Sequence, residues 1–174
     1  MEYLKYDDCG EVNLNSFAKF QAMRDSLNAT GVHMVYSYEP HTTNPISWPP
    51  QMGNSWRTGH DIRDSYASMM SELPILNAWA NIGGPGAFND GDILEVGNPG
   101  LSVSEARTHF AAWCLVKSPL LIGCDLTTVG EEFLEIMRNK DLIAISQDPL
   151  GEQGKLVSSS KGPSGLQLPP LSPA

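Results

Sequence analysis

The sequence predicts an α/β protein built on a parallel sheet, and three observations lead to this fold class. Short apolar or aromatic strand candidates alternate with helix candidates about five times along the chain. Such alternation is typical of parallel strands whose connecting helices cover the sheet. The 174 residues are 41% hydrophobic and 18% charged, as in a globular domain. Because a closed (β/α)8 barrel usually takes about 250 residues, the pattern predicts either a smaller open sheet or a barrel that lacks its first units.

The first two units lie near the N-terminus. Tyr3–Asp7 is an aromatic-rich strand candidate, and Asn15–Leu27 carries apolar residues at helical spacing. Val32–Tyr38 is the second strand candidate, which Glu39-Pro40 closes. A proline-rich loop, His41–Gln51, follows it.

The later units are shorter but keep the same alternation. In chain order we expect an extended piece at Trp56-Arg57, a helix over Ile62–Leu73, an extended segment over Phe88–Val96, a helix over Val103–Val116, an apolar strand at Leu120–Ile122 and a helix over Glu131–Arg138. The strand candidates near residues 3–7, 32–38, 56, 93–96 and 120–123 should be parallel neighbours in one curved sheet.

The composition changes at Ser158, where serine, glycine and proline replace apolar residues. Such a segment has little to bury. We therefore expect residues 1–157 to form the α/β domain and residues 158–174 to be a disordered or non-native tail.

Charge and composition exclude several function classes. The formal net charge of −9 argues against binding to nucleic acid or to anionic membrane surfaces. No long uncharged apolar run predicts a membrane span, and the first residues lack the layout of a signal peptide. The three cysteines fit no metal or redox spacing, and Cys114 and Cys124 are expected to be small buried residues.

Carboxylates stand at the ends of the extended pieces: Asp7, Glu39, Asp61, Asp90 and Asp92. In a parallel barrel the carboxyl ends of the strands form the active face. Acceptor-only carboxylates suit a polyol or sugar, although a Mg²⁺ or Ca²⁺ site would use the same oxygen ligands.

Lys5 and Asp7 are two residues apart on one strand, so they share a face. An ammonium group beside a carboxylate favours the ionised form, which a nucleophile requires. The alternative is an ordinary surface salt bridge at a strand end.

Five segments, in order, resemble one known family. They are YLKYD at Tyr3–Asp7 followed by Cys9, WRTGHDI at Trp56–Ile62, GPGAFNDGDIL at Gly84–Leu94, SPLLIG at Ser118–Gly123 and SQDPLG at Ser146–Gly151. They resemble the melibiase family of α-galactosidases (glycoside hydrolase family 27), which includes α-N-acetylgalactosaminidases. The match covers roughly residues 2 to 157, and the chain has Phe88, Gly91 and Ile93 where relatives usually have Trp, Pro and Met.

The resemblance implies an incomplete (β/α)8 barrel that corresponds to about the last five βα units. It implies a retaining glycosidase that releases terminal α-linked galactose, with Asp7 as nucleophile and Asp61 as general acid/base. Lys5, Glu39, Arg57 and Asp92 match positions that bind galactose hydroxyls or orient the carboxylates. No cofactor or metal is implied, the partner is a small galactoside, and the family is secreted, extracellular or lysosomal.

Alternatives remain for individual residues. Asp61 could be a helix N-cap before Ile62, Asp90 a turn residue, and Arg57 a cation packed on Trp56. Alternatives for the whole chain are an α-N-acetylgalactosaminidase, an inactive fragment and a metal-binding α/β domain. Glu39 argues against the first, because a carboxylate there would crowd an acetamido group.

The chain departs from the family at three places. The galactose-gripping residues of the first two barrel strands have no counterpart, and no C-terminal β-domain follows residue 157. Many relatives pair the cysteine equivalent to Cys9 with one where this chain has Tyr38, so Cys9 is expected to be a free thiol. We therefore expect impaired activity in the chain as it stands.

Overall fold

The computed structural model describes residues 2–7 and 16–157, and the elements within these ranges alternate as the sequence predicts. In chain order they are β1 (Glu2–Tyr6), α1 (Ser16–Ala29), β2 (Met34–Tyr38), a short 3₁₀ turn (Pro49–Gln51), β3 (Ser55–Arg57), α2 (Tyr66–Trp79), β4 (Phe88–Asp90), α3 (Val103–Leu115), α4 (Glu131–Met137) and α5 (Lys140–Ser146).

The four strands form one parallel sheet in the order β1-β2-β3-β4. Lys5 pairs with Ser37, Ser37 with Ser55, and Arg57 with Asp90, so the carboxyl ends of all four strands meet at one edge. A further parallel bridge joins Leu94 to Ile122. The expectation of parallel neighbours is therefore confirmed for the first three strand candidates, whereas residues 93–96 and 120–123 are joined only by this bridge and lie outside the four-stranded sheet.

The two faces of the sheet differ because strand side chains alternate. On one face lies an aromatic cluster of Phe20 from α1, Tyr36 and Tyr38 from β2, Trp56 from β3, and Trp79 from α2. Each of these side chains is at most 4% exposed. The opposite face carries the alternate, mostly polar residues, and it leads to the edge where the charged side chains lie.

A second core holds the helices together. It is built around Trp113 of α3, with Leu73 and Leu76 of α2 and Ile136 of α4 packed in the same cluster. Cys114 is buried and reduced, as expected, whereas Cys124 is only half-buried. Trp79 of α2 packs with Trp56 of β3 in the aromatic cluster, and α2 also contacts β4, so α2 lies behind these two strands.

The predicted helix at Ile62–Leu73 is wrong at both ends, since α2 runs from Tyr66 to Trp79. The backbone N–H of Ile62 donates to the Asp92 carboxylate at 3.0 Å, and Ser65 caps the helix by accepting from the N–H of Ser68. Residues 61–63 therefore stay outside the helix.

The extended segment expected over Phe88–Val96 is interrupted. β4 ends at Asp90, and Asp92 adopts a φ of 81°, which breaks the strand before Leu94. The fourth strand of the sheet is therefore residues 88–90, and residues 93–96 reach only the bridge to Ile122. Helix α5 was not predicted.

Two expectations fall on residues that the structure does not describe. The thiol of Cys9 and the tail at residues 158–174 lie outside the described residues. Among the described residues, no helix is long and apolar enough to cross a membrane.

Candidate active site

The charged residues singled out from the sequence gather at the carboxyl edge of the sheet. Asp7 follows β1, Glu39 follows β2, Arg57 ends β3, and Asp90 ends β4. Because these strands are parallel and in register, their last residues meet on one side of the molecule. Asp61 and Asp92 come from the loops that leave the same edge.

Arg57 is the centre of this cluster. Its side chain is 3% exposed, and its Nη2 donates to Glu39 Oε1 at 3.3 Å and to Asp61 Oδ1. Its Nη1 lies 2.5 Å from Asp92 Oδ2. Burial alone would lower the pKa of Arg57, but Asp92 and Glu39 outweigh it and raise that pKa above its ordinary value. One buried cation thus holds three carboxylates from three loops.

Asp92 connects the loops after β3 and β4. Its Oδ2 accepts the N–H of Ile62 at 3.0 Å, and its own N–H donates to Asp90 Oδ1 at 2.8 Å. Its carbonyl oxygen accepts the indole N–H of Trp113 at 2.8 Å. The left-handed backbone at Asp92 is therefore held by contacts from three directions, and its carboxylate is aimed at Arg57.

Asp61 has a different environment from the other carboxylates. Its side chain is 87% exposed, although it contacts the buried guanidinium of Arg57. The hydrogen bond and the charge of Arg57 lower the pKa of Asp61. In the ligand-free protein Asp61 is therefore an ionised, accessible carboxylate.

Glu39 and Asp90 are buried. Desolvation raises the pKa of Glu39, although Arg57 and His41 oppose that shift. Asp90 is 2% exposed, and burial raises its pKa as well. It is the last residue of β4, and its Oδ1 accepts the N–H of Asp92, so Asp90 also forms the turn that follows the strand.

His41, which the sequence analysis did not single out, lies between two predicted site residues. Its Nε2 is 3.7 Å from Asp7 Oδ1, and its Nδ1 is 3.4 Å from Glu39 Oε1. The ligand atoms of Asp7, Glu39 and His41 lie within 4.8 Å of one another, so these three side chains could hold a metal ion. No sequence signal marks this approach, since it depends on the φ of 46° at His41 and on the pairing of β1 with β2.

Lys5 and Asp7 are both exposed, and they lie on the face of β1 opposite to the half-buried Leu4 and Tyr6. The charge of Lys5 reaches the cluster: it opposes the rise in the pKa of Glu39 and Asp90 and contributes to the lowered pKa of Asp61. The predicted face of β1 is thus directed to the site.

The structure does not adopt the alternative roles considered for Asp61, a helix N-cap, and for Arg57, a cation packed on Trp56. The N-cap of α2 is Ser65, not Asp61. Trp56 belongs to the aromatic cluster on one face of the sheet, whereas Arg57 points to the other face and contacts carboxylates. Asp64, the next carboxylate along this loop, accepts the N–H of Gly100 at 2.8 Å.

Parallel β/α units that present carboxylates and an arginine at the carboxyl edge define a class of proteins, the α/β-barrel enzymes that act at their strand ends. Comparison with known proteins identifies the family. The melibiase family model described as Alpha galactosidase A matches residues 1–148. The chain belongs to this family.

Individual relatives agree. Alpha-galactosidase 3 of Arabidopsis thaliana is 46% identical over 161 residues, which are 92% of this chain and 37% of that protein. Alpha-N-acetylgalactosaminidase of Rattus norvegicus is 36% identical over 92% of this chain and 41% of its own length. The chain thus spans well under half the length of these curated relatives.

Solved structures match the fold. The α-galactosidase of Saccharomyces cerevisiae superposes with a TM-score of 0.82 at 28% identity, over 94% of this chain and 44% of that chain. A structure of α-galactosidase from the same yeast with raffinose gives a TM-score of 0.77 with the same coverage. The described residues therefore form part of a (β/α)8 barrel, as the sequence predicts.

Proposed function

We propose that this chain carries the catalytic carboxylates of a retaining glycoside hydrolase that releases terminal α-linked galactose. The observation that carries the proposal is the cluster around Arg57, which gathers Glu39, Asp61 and Asp92 at the strand ends. Asp7 and Lys5 lie beside this cluster on the neighbouring strand. Family membership and the yeast relative solved with raffinose support a galactoside as the substrate.

In the first step Asp7 attacks C1 of the galactoside while Asp61 gives its proton to the leaving oxygen. The bond between C1 and that oxygen breaks, and an ester bond forms between C1 and Asp7. In the second step Asp61 takes a proton from water, which attacks C1 and releases galactose and the Asp7 carboxylate. Two displacements retain the anomeric configuration, and this geometry requires the carboxyl groups about 5–5.5 Å apart.

The charge state of Asp61 favours the second step. Arg57 lowers the pKa of Asp61, so the ligand-free protein holds it as a base. A general acid needs a raised pKa, which burial supplies. We infer that a bound sugar covers the exposed Asp61 carboxylate and weakens its contact with Arg57, so that the same residue can carry a proton in the first step.

The remaining charged groups bind hydroxyls. Lys5 donates, whereas Glu39 and Asp92 accept, and Arg57 orients both carboxylates. Glu39 is the buried member and suits a free 2-hydroxyl. An acetamido group in that position would meet a carboxylate, which favours galactose over N-acetylgalactosamine, the sugar named for the rat relative.

A metal-binding function is the second candidate, since Asp7, Glu39 and His41 are close enough to share an ion. A chelator distinguishes the two. Activity that survives chelation supports the carboxylate mechanism, because no step in it needs a metal.

As the family resemblance implies, we place the protein outside the cell or in the lysosome.

Covalent trapping tests the nucleophile directly. A galactose-configured cyclophellitol aziridine should label the chain, and peptide mass spectrometry should locate the label on Asp7. Trapping needs only one slow turnover, so it works even for a weak enzyme. The Asp7→Asn variant should remain unlabelled, while Asp8→Asn, which removes the adjacent carboxylate in the sequence, should label normally. Label on any other residue contradicts the proposed role of Asp7.

A further inference from the structure

Glu72 is a buried acidic residue in the middle of α2. Its side chain is 1% exposed, and its Oε2 has no hydrogen-bond partner among residues 2–7 and 16–157. Burial raises the pKa of Glu72. A buried carboxyl group disfavours folding unless it makes compensating contacts, so this position in a helix calls for a specific explanation.

The carboxyl group of Glu72 faces the loop between β3 and α2. A Cβ placed on Gly59 would lie 1.5 Å from Glu72 Oε2, so the carboxylate rests directly against the backbone of this loop. The charges of His60 and Arg57 oppose the rise in the pKa of Glu72 that burial causes. The charged groups around it are the His60 imidazole, Arg57 and Asp92, all of which belong to the site or to this loop.

This loop carries Asp61 and is anchored at both ends. Thr58 donates its N–H and its hydroxyl to the carbonyl oxygen of Asp90, at 3.0 and 3.2 Å. Ile62 donates its N–H to Asp92. Between these anchors, the Glu72 carboxyl group packs against the backbone at Gly59.

We propose that Glu72 is a positioning residue that holds the loop of residues 58–61, and with it the Asp61 carboxylate, against Arg57. The inference rests on the proposed role of Asp61 as acid/base. It also explains why glycine stands at position 59, since any side chain there would displace the Glu72 carboxyl group. Glu72 itself touches no reacting atom and acts only through the loop.

The experiment uses the full chain with Glu72→Leu and Glu72→Gln. Leucine fills a similar volume but has no acceptor, whereas glutamine keeps one. Nuclear magnetic resonance follows amide hydrogen exchange at His60 and the titration of the Asp61 carboxyl carbon, and urea unfolding measures stability. Met69→Leu, at a fully buried position one turn earlier in α2, is the matched control.

With leucine, we expect His60 exchange to become about tenfold faster, because the loop loses its contact with the Glu72 carboxyl group at Gly59 and opens more often. The pKa of Asp61 should rise toward its ordinary value as the contact with Arg57 loosens. Global stability should be unchanged or higher, because an apolar residue replaces a buried carboxyl group. Glutamine should restore both loop measurements to within about threefold, and Met69→Leu should change neither.

Gly59→Ala provides an independent test, because its Cβ displaces the same carboxyl group. It should reproduce the loop effects of Glu72→Leu, and the double variant should add little to either one. Unchanged exchange at His60 and an unchanged Asp61 titration in Glu72→Leu would overturn the proposal. So would additive effects of the two substitutions. Failure of the proposed function would appear elsewhere, as absent trapping on Asp7.

Discussion

Arg57 donates a hydrogen bond to Asp61, four residues further along the same loop, and so joins an almost fully buried guanidinium to an almost fully exposed carboxylate. The same guanidinium contacts the buried Glu39 and the mostly buried Asp92. The site therefore depends on one cation whose removal leaves carboxylates without a partner.

Arg57→Ala should destabilise the protein by about 3 kcal/mol, because breaking a buried ion pair leaves an uncompensated charge. Urea unfolding at neutral pH measures the change. Arg138→Ala is the control, since Arg138 and Glu131 form a pair with side chains 65% and 68% exposed. That substitution should change the free energy of unfolding by about 1 kcal/mol or less. Equal effects of the two substitutions would show that Arg57 does not organise the cluster.

Asp90→Asn should stabilise the protein more at high pH than at low pH. Burial raises the pKa of Asp90 in the folded state. Below the ordinary pKa of an aspartate both states are protonated, and the stability that this group contributes is fully present. As pH rises through the raised folded pKa, that contribution is lost. Asparagine carries no charge, and its oxygen can still accept the N–H of Asp92. The folding stability of the variant should therefore not fall in this way as pH rises.

Thermal unfolding of the wild type and Asp90→Asn at pH 4 and pH 8 measures the effect. The difference in stability should shift in favour of the variant at pH 8. Asp148→Asn is the control, because Asp148 is an exposed residue near the end of the described chain. A pH-independent difference for Asp90→Asn would show that the Asp90 carboxyl group does not titrate as inferred.

Much of this fold follows from local sequence patterns. Alternation of strand and helix predicts the parallel sheet, and the spacing of Lys5 and Asp7 predicts their shared face, because both depend on backbone geometry over a few residues. Helix α5 also has a local signal, since the Asn139 side chain caps it by accepting the N–H groups of Asp141 and Leu142. The sequence analysis missed that cap.

Other features arise only from tertiary contacts. Helix α2 starts after Ile62 because Asp92, thirty residues later in the sequence, captures the Ile62 N–H. The approach of His41 to Asp7 needs the pairing of β1 and β2. Nothing in the sequence around Glu72 distinguishes it from a solvent-exposed helix residue, so its contact with Gly59 is visible only in three dimensions.

Tyr38 occupies the position where many relatives are expected to have a cysteine, and it holds the loop after β2 by packing and a hydrogen bond instead of a disulfide. Its side chain is fully buried among Phe20, Tyr36 and Trp48, and its hydroxyl donates to the carbonyl oxygen of Pro49 at 3.0 Å. This hydrogen bond fastens the loop after β2, the loop that begins with Glu39 and His41.

Tyr38→Phe should lower the free energy of unfolding by about 1 kcal/mol, the usual contribution of one hydrogen bond, because only the hydroxyl is lost. Urea unfolding measures it, and Tyr3→Phe, at a residue 48% exposed, should have almost no effect. An equally small effect at Tyr38 would mean that the aromatic packing alone holds this loop.

The last prediction concerns activity. Lys5 and Asp7 lie exposed on β1, which pairs only with β2 among the described residues, and the chain spans 37% of its Arabidopsis relative. We predict that the chain alone hydrolyses an aryl α-galactoside at least about 10²-fold more slowly than a fusion carrying the preceding part of that relative. Positioning the sugar within about 1 Å is worth a factor of this size, and an open site admits water, which weakens the electrostatic contacts of the carboxylates. Steady-state kcat/KM of both proteins measures the ratio, and Asp7→Asn in the fusion must abolish the activity. Equal activity of the short chain, lost in its own Asp7→Asn variant, would show that the residues around Arg57 suffice to hold the substrate.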